Sequence, residues 1–194
     1  MFEPFLRSGD RESDDRAFLQ ALSALLGPAS HSIASLYSGL ANTAALLWWY
    51  LPDISWAGFY VTNFEVPVIR RAADLDRMSP MGTLLQLGPF QGLPACTSIP
   101  FGKGVCGTAA ATGETQLVSD VHDFPGHIAC DSVSRSELVV PIFRGGVQPN
   151  IGGGETSQSV VGVVDLDCPT VGRFTDGDAR LLKEVVTLVG SLFF

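Results

Sequence analysis

Residues 87–143 read LGPFQGLPACTSIPFGKGVCGTAAATGETQLVSDVHDFPGHIACDSVSRSELVVPIF, and residues 160–169 continue as VVGVVDLDCP. Short β-branched and aromatic runs, punctuated by Gly and Pro, predict strands over 83–87, 95–99, 116–118, 137–143 and 160–166. Between them, GVCGTAAAT at 104–112 follows a Gly102-Lys103-Gly104 turn and is closed by Gly113, which predicts a short helix. Residues 145–158 hold five glycines and no apolar pattern, so they are expected as a flexible surface insertion between two strands.

Working outward, Ser55–Val61 (SWAGFYV) predicts one more strand, and residues 63–82, with two prolines and mixed charges, a long hairpin or loop. Helical periodicity takes over beyond these limits. Ser13-Asp14-Asp15 offers an N-cap and acidic first turn for a helix carrying Phe18, Leu19, Leu22, Leu25 and Leu26 on one face, ended by Gly27-Pro28. A second helix is expected over 32–50, with Leu36, Leu40, Ala44 and Leu47, stopped by Pro52. The last begins at Thr175, with Asp178 three residues on as a capping-box variant, and presents Leu181, Leu182, Val185, Leu188, Val189 and Leu192. Helices at both ends of closely spaced strands predict an α+β domain, a mainly antiparallel sheet with helices packed on it. One domain is expected over residues 1–194, with residues 1–12 as an N-terminal tail.

Composition narrows the function. The chain has 194 residues, 46% hydrophobic and 16% charged, with net charge −8 and no Lys/Arg cluster, so nucleic acid is not an expected partner. The longest apolar run, residues 44–51, is far short of the ~18 residues a membrane span needs. The N-terminus is broken by charges and lacks a signal peptide's hydrophobic stretch, so a soluble cytoplasmic domain is expected. The four cysteines, Cys96, Cys106, Cys130 and Cys168, form no C-x-x-C, and the three histidines have no ligand spacing to them, so no metal is called for. That leaves thiol chemistry or core packing. Asp165 and Asp167, two apart on a predicted strand, project from one face. Like charges on an otherwise apolar strand are costly unless they bind a cation or share a proton, and Glu137 is a third carboxylate of the same segment flanked by apolar strand residues.

With these motifs in order, the chain resembles the free methionine-(R)-sulfoxide reductases, a GAF-domain family. The resemblance rests on Trp56-Ala57-Gly58-Phe59-Tyr60, LGPFQG at 87–92, Ala95-Cys96, GVCGTAAA at 104–111, Asp120-Val121-His122, FPGHIACDS at 124–132, SELVVP at 136–141 and Asp165-Leu166-Asp167, with cysteine gaps of 10 and 24 residues. It implies a GAF fold with about six antiparallel strands, no organic cofactor, and a homodimer in many members, for which the apolar terminal helices are candidates. Carried over residue by residue, Cys130 is the cysteine that attacks the sulfoxide, Cys96 the resolving cysteine, and Cys106 an additional one able to enter disulfide exchange. Glu137, Asp165 and Asp167 grip the substrate, and Trp56 and Tyr60 are candidate walls for its S-methyl group.

The implied substrate is free L-methionine-R-sulfoxide, and the implied reductant thioredoxin or a similar dithiol protein. Thiolate attack leaves a sulfenic acid, which a second thiol condenses to a disulfide. Clustered carboxylates suit both an acid for the sulfoxide oxygen and a partner for an α-ammonium. Backbone N–H groups at Gly104-Val105-Cys106 suit the substrate carboxylate. The chain departs from the family pattern at residues 63–82, in the Gly-rich loop, and at Cys168, which adds a thiol expected close to the site. Asp120, Asp123, His122 and His127 are expected to shape the loop. Two other readings share these residues, a GAF module that senses a small molecule and a thiol-based redox or metal switch.

Overall fold

The computed structural model describes residues 7–28, 32–62, 84–126, 133–146 and 160–194. Among these the elements run α1 (Arg11–Leu26), α2 (Ile33–Tyr50), β1 (Trp56–Thr62), β2 (Leu84–Gly92), β3 (Ser98–Pro100), α3 (Gly104–Thr112), β4 (Gln116–Val118), β5 (Ser136–Phe143), β6 (Val160–Cys168) and α4 (Asp176–Phe193). The described strands form one sheet in the order β3-β2-β1-β6-β5-β4, with every neighbouring pair antiparallel. This is the predicted α+β architecture with six strands. The expected loop over 63–82 lies outside the described residues, as does the Gly-rich insertion apart from Gly145 and Gly146, which form a short 3-10 turn with Arg144.

Strand alternation divides the sheet into two apolar faces. Ala57, Phe59 and Val61 of β1, Leu138, Val140 and Ile142 of β5, and Val164, Leu166 and Cys168 of β6 point to one side. There Phe18 and Leu22 of α1, Leu40 and Leu47 of α2, and Leu181, Leu182, Val185 and Val189 of α4 cover them. The opposite face presents Trp56, Tyr60, Val139 and Val163 to Val105, Cys106, Ala109 and Ala110 of the short helix α3. So the domain has three layers, a thick one of long helices and a thin one that leaves room for a cavity.

Several boundaries move, each for a local reason. The first helix begins at Arg11, because Asp10 rather than Ser13 is its N-cap: the Asp10 carboxylate accepts from the Ser13 N–H at 2.9 Å. The expected tail is therefore short. Residues 11 and 12 are helical, and Arg7 donates to the carbonyls of Trp49 and Tyr50. The second strand runs on through Gly88-Pro89, which the sequence suggested as a breaker. Gly58 pairs with Phe90 and Tyr60 with Leu87, so two residues of β2 face one of β1. That is a bulge, the one interior position where a proline's missing N–H costs no ladder bond. The third strand is shorter than the predicted 95–99 and starts at Ser98. By contrast α2 is capped by Ser32, α3 ends on Gly113 in the left-handed conformation (φ 71°), and the capping box of Thr175 and Asp178 forms.

Two constraints fix the helices against the sheet. Asp178, fully buried, accepts from Thr175 N–H and hydroxyl at 2.8 Å and pairs with Arg173 at 3.3 Å and Arg11 at 3.2 Å, so it ties α1 to the start of α4. Gly107 faces the Pro100 carbonyl so closely that a Cβ there would overlap it, while its own carbonyl accepts from Gly102 N–H at 2.7 Å. Asp178→Ala removes the cap and strands Arg173, at a cost of about 3 kcal/mol. In thermal unfolding it is expected to lower Tm by about 9 °C. Arg11→Ala, which breaks a pair whose arginine is half exposed, is expected to cost less than about 1 kcal/mol. Gly107→Ala gains about 1 kcal/mol of helix propensity but drives a methyl into a backbone carbonyl that cannot move away. Urea denaturation is expected to show a net loss of about 1–3 kcal/mol, and a gain would refute this account of the contact.

Candidate functional site

The site is assembled by strand register. On the cavity face Asp167 of β6 stands between Trp56 of β1 and Glu137 of β5, and one step along Asp165 stands between Gly58 and Val139. Asp165 and Asp167 thus share one sheet face, as their spacing predicted, and the register of β5 brings Glu137 to the adjacent position. Trp56, Tyr60, Cys106, Glu137, Asp165 and Asp167, all singled out in the sequence, line one cavity. Gly58, without a side chain, leaves space that the Trp56 ring and Phe90 fill. Trp56 stacks on Phe90 at 5.3 Å and on Tyr60 at 5.9 Å between ring centres, which gives the cavity a flat aromatic wall.

The wall is also fastened to the chain that carries the first cysteine. Trp56 Nε1 donates to the Leu93 carbonyl at 3.1 Å, and the Tyr60 hydroxyl donates to the Cys96 carbonyl at 3.0 Å. Cys96 itself is in a disulfide, whereas Cys106 and Cys168 carry free thiols. The Cys106 thiol donates to Asp165 Oδ2 at 3.2 Å and lies 3.9 Å from Glu137 Oε1. Burial, followed by the charges of Asp165 and Glu137, pushes this thiol well above its ordinary pKa. The Tyr60 phenol is raised by burial and by Asp165 as well. Both groups are therefore neutral hydrogen-bond donors at neutral pH, beside a cluster of acceptors. A buried thiol held protonated is a poor nucleophile, which sets Cys106 apart from reactive cysteines.

Asp120, Val121, His122 and Arg135 form a clasp among the described residues. Asp120 Oδ2 pairs with Arg135 at 2.7 Å, Asp120 Oδ1 with His122 Nδ1 at 2.8 Å, and Val121 N–H donates to the Arg135 carbonyl. Arg135, and then His122, hold the Asp120 carboxyl well below the usual range, so this clasp stays charged. The expected loop-shaping roles of Asp120 and His122 are thus realised in these bonds. Cys130 and His127 lie outside the described residues. Cys168 requires a correction. It was expected to add a thiol near the site, but one residue beyond Asp167 it points to the opposite, helix-covered face, fully buried, and donates to the Asp53 carbonyl at 2.9 Å. The sequence reading also missed Lys103, Ser134 and Phe90. Lys103 and Ser134 line the cavity, and Phe90 backs its aromatic wall. Lys103 carried a signal, as a cation inside the glycine turn that opens α3.

No described helix is long and apolar enough to cross a membrane. Among known proteins, the GAF domain family matches residues 16–192. A free methionine-R-sulfoxide reductase of Escherichia coli is 41% identical over 152 residues, 78% of this chain and 74% of that protein. Protein YtsP of Bacillus subtilis is 41% identical over 184 residues, 95% of this chain and 93% of that protein. The structure of the free methionine-R-sulfoxide reductase from Neisseria meningitidis in complex with its substrate superposes with TM-score 0.77 at 33% identity, covering 100% of this chain and 96% of that one. The family match, the sequence likeness and the superposition agree, and on that ground the chain belongs to the GAF-domain family, in the group that includes the free methionine-R-sulfoxide reductases.

Proposed function

We propose that this chain reduces free L-methionine (R)-S-oxide to L-methionine. The observation that carries the reading is the convergence of Glu137, Asp165 and Asp167 on one cavity beside an aromatic wall anchored to Cys96. Relatives that align over more than two thirds of their length bear the name of that activity. Three carboxylates beside neutral donors suit an α-ammonium, and an enclosed site for charged backbone groups favours a free amino acid over a peptide residue. The N-terminus of α3, at Gly104, Val105 and Cys106 with Lys103 beside it, receives the substrate carboxylate. Trp56 and Tyr60 flank the S-methyl group.

The chemistry then needs thiols and one acid. The Cys130 thiolate attacks the sulfoxide sulfur while a carboxylic acid of the cluster protonates the sulfoxide oxygen. Oxygen passes to the cysteine, leaving methionine and a Cys130 sulfenic acid. The Cys96 thiol condenses with it, water leaves, and a disulfide remains. The disulfide at Cys96 supports that role, and burial beside Asp165 and Glu137 favours the protonated thiol at Cys106. A thioredoxin-type dithiol protein returns both cysteines to thiols, and the cytoplasm is the compartment where such reductants operate. A homodimer belongs to the same reading. Its interface is drawn to α2, where Tyr37, Trp48 and Trp49 are exposed, because the apolar face of α4 is spent in the core of its own chain.

Single-turnover assays with reduced protein are expected to release one methionine per chain from the R epimer, none from the S epimer, and none from Cys130→Ser. No release from either epimer by the reduced parent protein would overturn the reductase reading. Asp165→Asn and Glu137→Gln keep the shape of the cavity but remove a charge from the ammonium. Each is expected to lower kcat/KM about 10- to 100-fold, by the worth of a charged hydrogen bond. Steady-state kinetics that leave kcat/KM within twofold of the parent would place the ammonium elsewhere.

A further inference from the structure

We infer that Cys106, Glu137 and Asp165 form a binding site for a thiophilic divalent cation of the Zn2+ class, distinct in chemistry from the recognition of an amino-acid substrate. The three residues come from α3, β5 and β6, are each at most 6% exposed, and bring Sγ and two carboxylate oxygens within 4.8 Å of one another. Sγ lies 3.2 Å from Asp165 Oδ2 and 3.9 Å from Glu137 Oε1. A tetrahedral zinc with ordinary Zn–S and Zn–O bonds separates its sulfur and oxygen ligands by about 3.5 Å, and the two sulfur–oxygen edges bracket that length.

The donor set also selects the ion. Ca2+ takes six to eight oxygens and Mg2+ an octahedral oxygen shell, and neither is suited to a thiolate in a site with three protein donors. One sulfur and two carboxylate oxygens, with a fourth position open to the cavity, suit Zn2+ or Co2+. Recognition of an α-ammonium needs the carboxylates but makes no use of the sulfur. The charge balance favours a cation as well: Asp167 lines the same cavity, and Lys103 is the only lining cation among the described residues. Binding breaks the Cys106 S–H bond and forms the S–metal bond, and that proton leaves to solvent together with any that Glu137 or Asp165 carries. No oxidation or reduction is involved, and Cys106 is available for it while Cys96 is held in its disulfide.

The site itself does not depend on the proposed reductase activity. Its consequence does: if the same carboxylates receive the substrate ammonium, a bound cation excludes substrate, and thiophilic metal becomes a competitive inhibitor. The test is a Co2+ titration of the intact oxidised protein, with Cys96 in its disulfide, read by optical absorption and by proton release. The expected result is one Co2+ and at least one released proton per chain, with thiolate-to-cobalt absorption and the visible bands of tetrahedral cobalt. Zn2+ should bleach these bands and excess Mg2+ should leave them. Cys106→Ser should abolish the thiolate-to-cobalt absorption and Cys168→Ser retain it. Glu137→Gln, close in shape and free of the charge, should shift the isotherm to higher Co2+. Absence of thiolate absorption in the parent protein, or its survival in Cys106→Ser, would overturn the inference. Adding L-methionine to the cobalt form separates the two readings. Displacement ties the cation to the proposed substrate position, whereas retained cobalt leaves the cation site standing and counts against that position.

Discussion

The register of β6 between β1 and β5 is the constraint on which the rest of the site depends. It places Asp167 in one row with Trp56 and Glu137, and Asp165 in the next row beside Gly58 and Val139. Because side chains alternate along a strand, a slip of one residue would turn Leu138, Leu166 and Cys168 into the cavity and drive the carboxylates into the apolar layer under α1, α2 and α4. The large apolar face under those helices is therefore what holds the acidic face in place. Burying each Leu, Phe or Val side chain there is worth about 1.5–3 kcal/mol, and the many of them together outweigh the few hydrogen bonds of the cavity, so the register is set by packing.

With the register fixed, the thin layer does the chemistry. The helix α3 is nine residues long and made of small side chains, which lets it sit close enough to the sheet for Cys106 to reach two carboxylates. Gly107 against the Pro100 carbonyl sets that distance. The result is a buried pocket of concentrated negative charge in which a thiol and a phenol stay protonated. Such a pocket attracts a cation, and an organic ammonium and a thiophilic metal are two chemically different answers to the same field.

Much of this was legible beforehand. The caps at Ser32, Gly113 and Thr175 each combine a side chain or a glycine with a local backbone need, and such signals span only a few residues. The period-two spacing of Asp165 and Asp167 announced a shared face, and the motifs taken together carried the resemblance to the reductase family. What misled was equally physical. Gly88-Pro89 reads as a breaker until the partner strand shows that these residues sit in a bulge. Cys168 reads as a neighbour of the site until the sheet shows that adjacent residues of a strand face opposite ways. The choice of Asp10 over Ser13 as first cap was open, since both residues can accept from the third amide that follows.

The sequence by itself thus determined most of the elements and the fold class, because caps and periodicity are local properties, and its resemblance to the reductase family singled out six residues that line the cavity. Only the tertiary structure decided that Asp167 stands directly opposite Glu137, that Cys106 rather than Cys168 touches the carboxylates, and that Lys103 joins them. Those facts depend on pairing between segments dozens of residues apart, and that pairing is selected by the packing of the whole apolar layer, which no short stretch of chain contains.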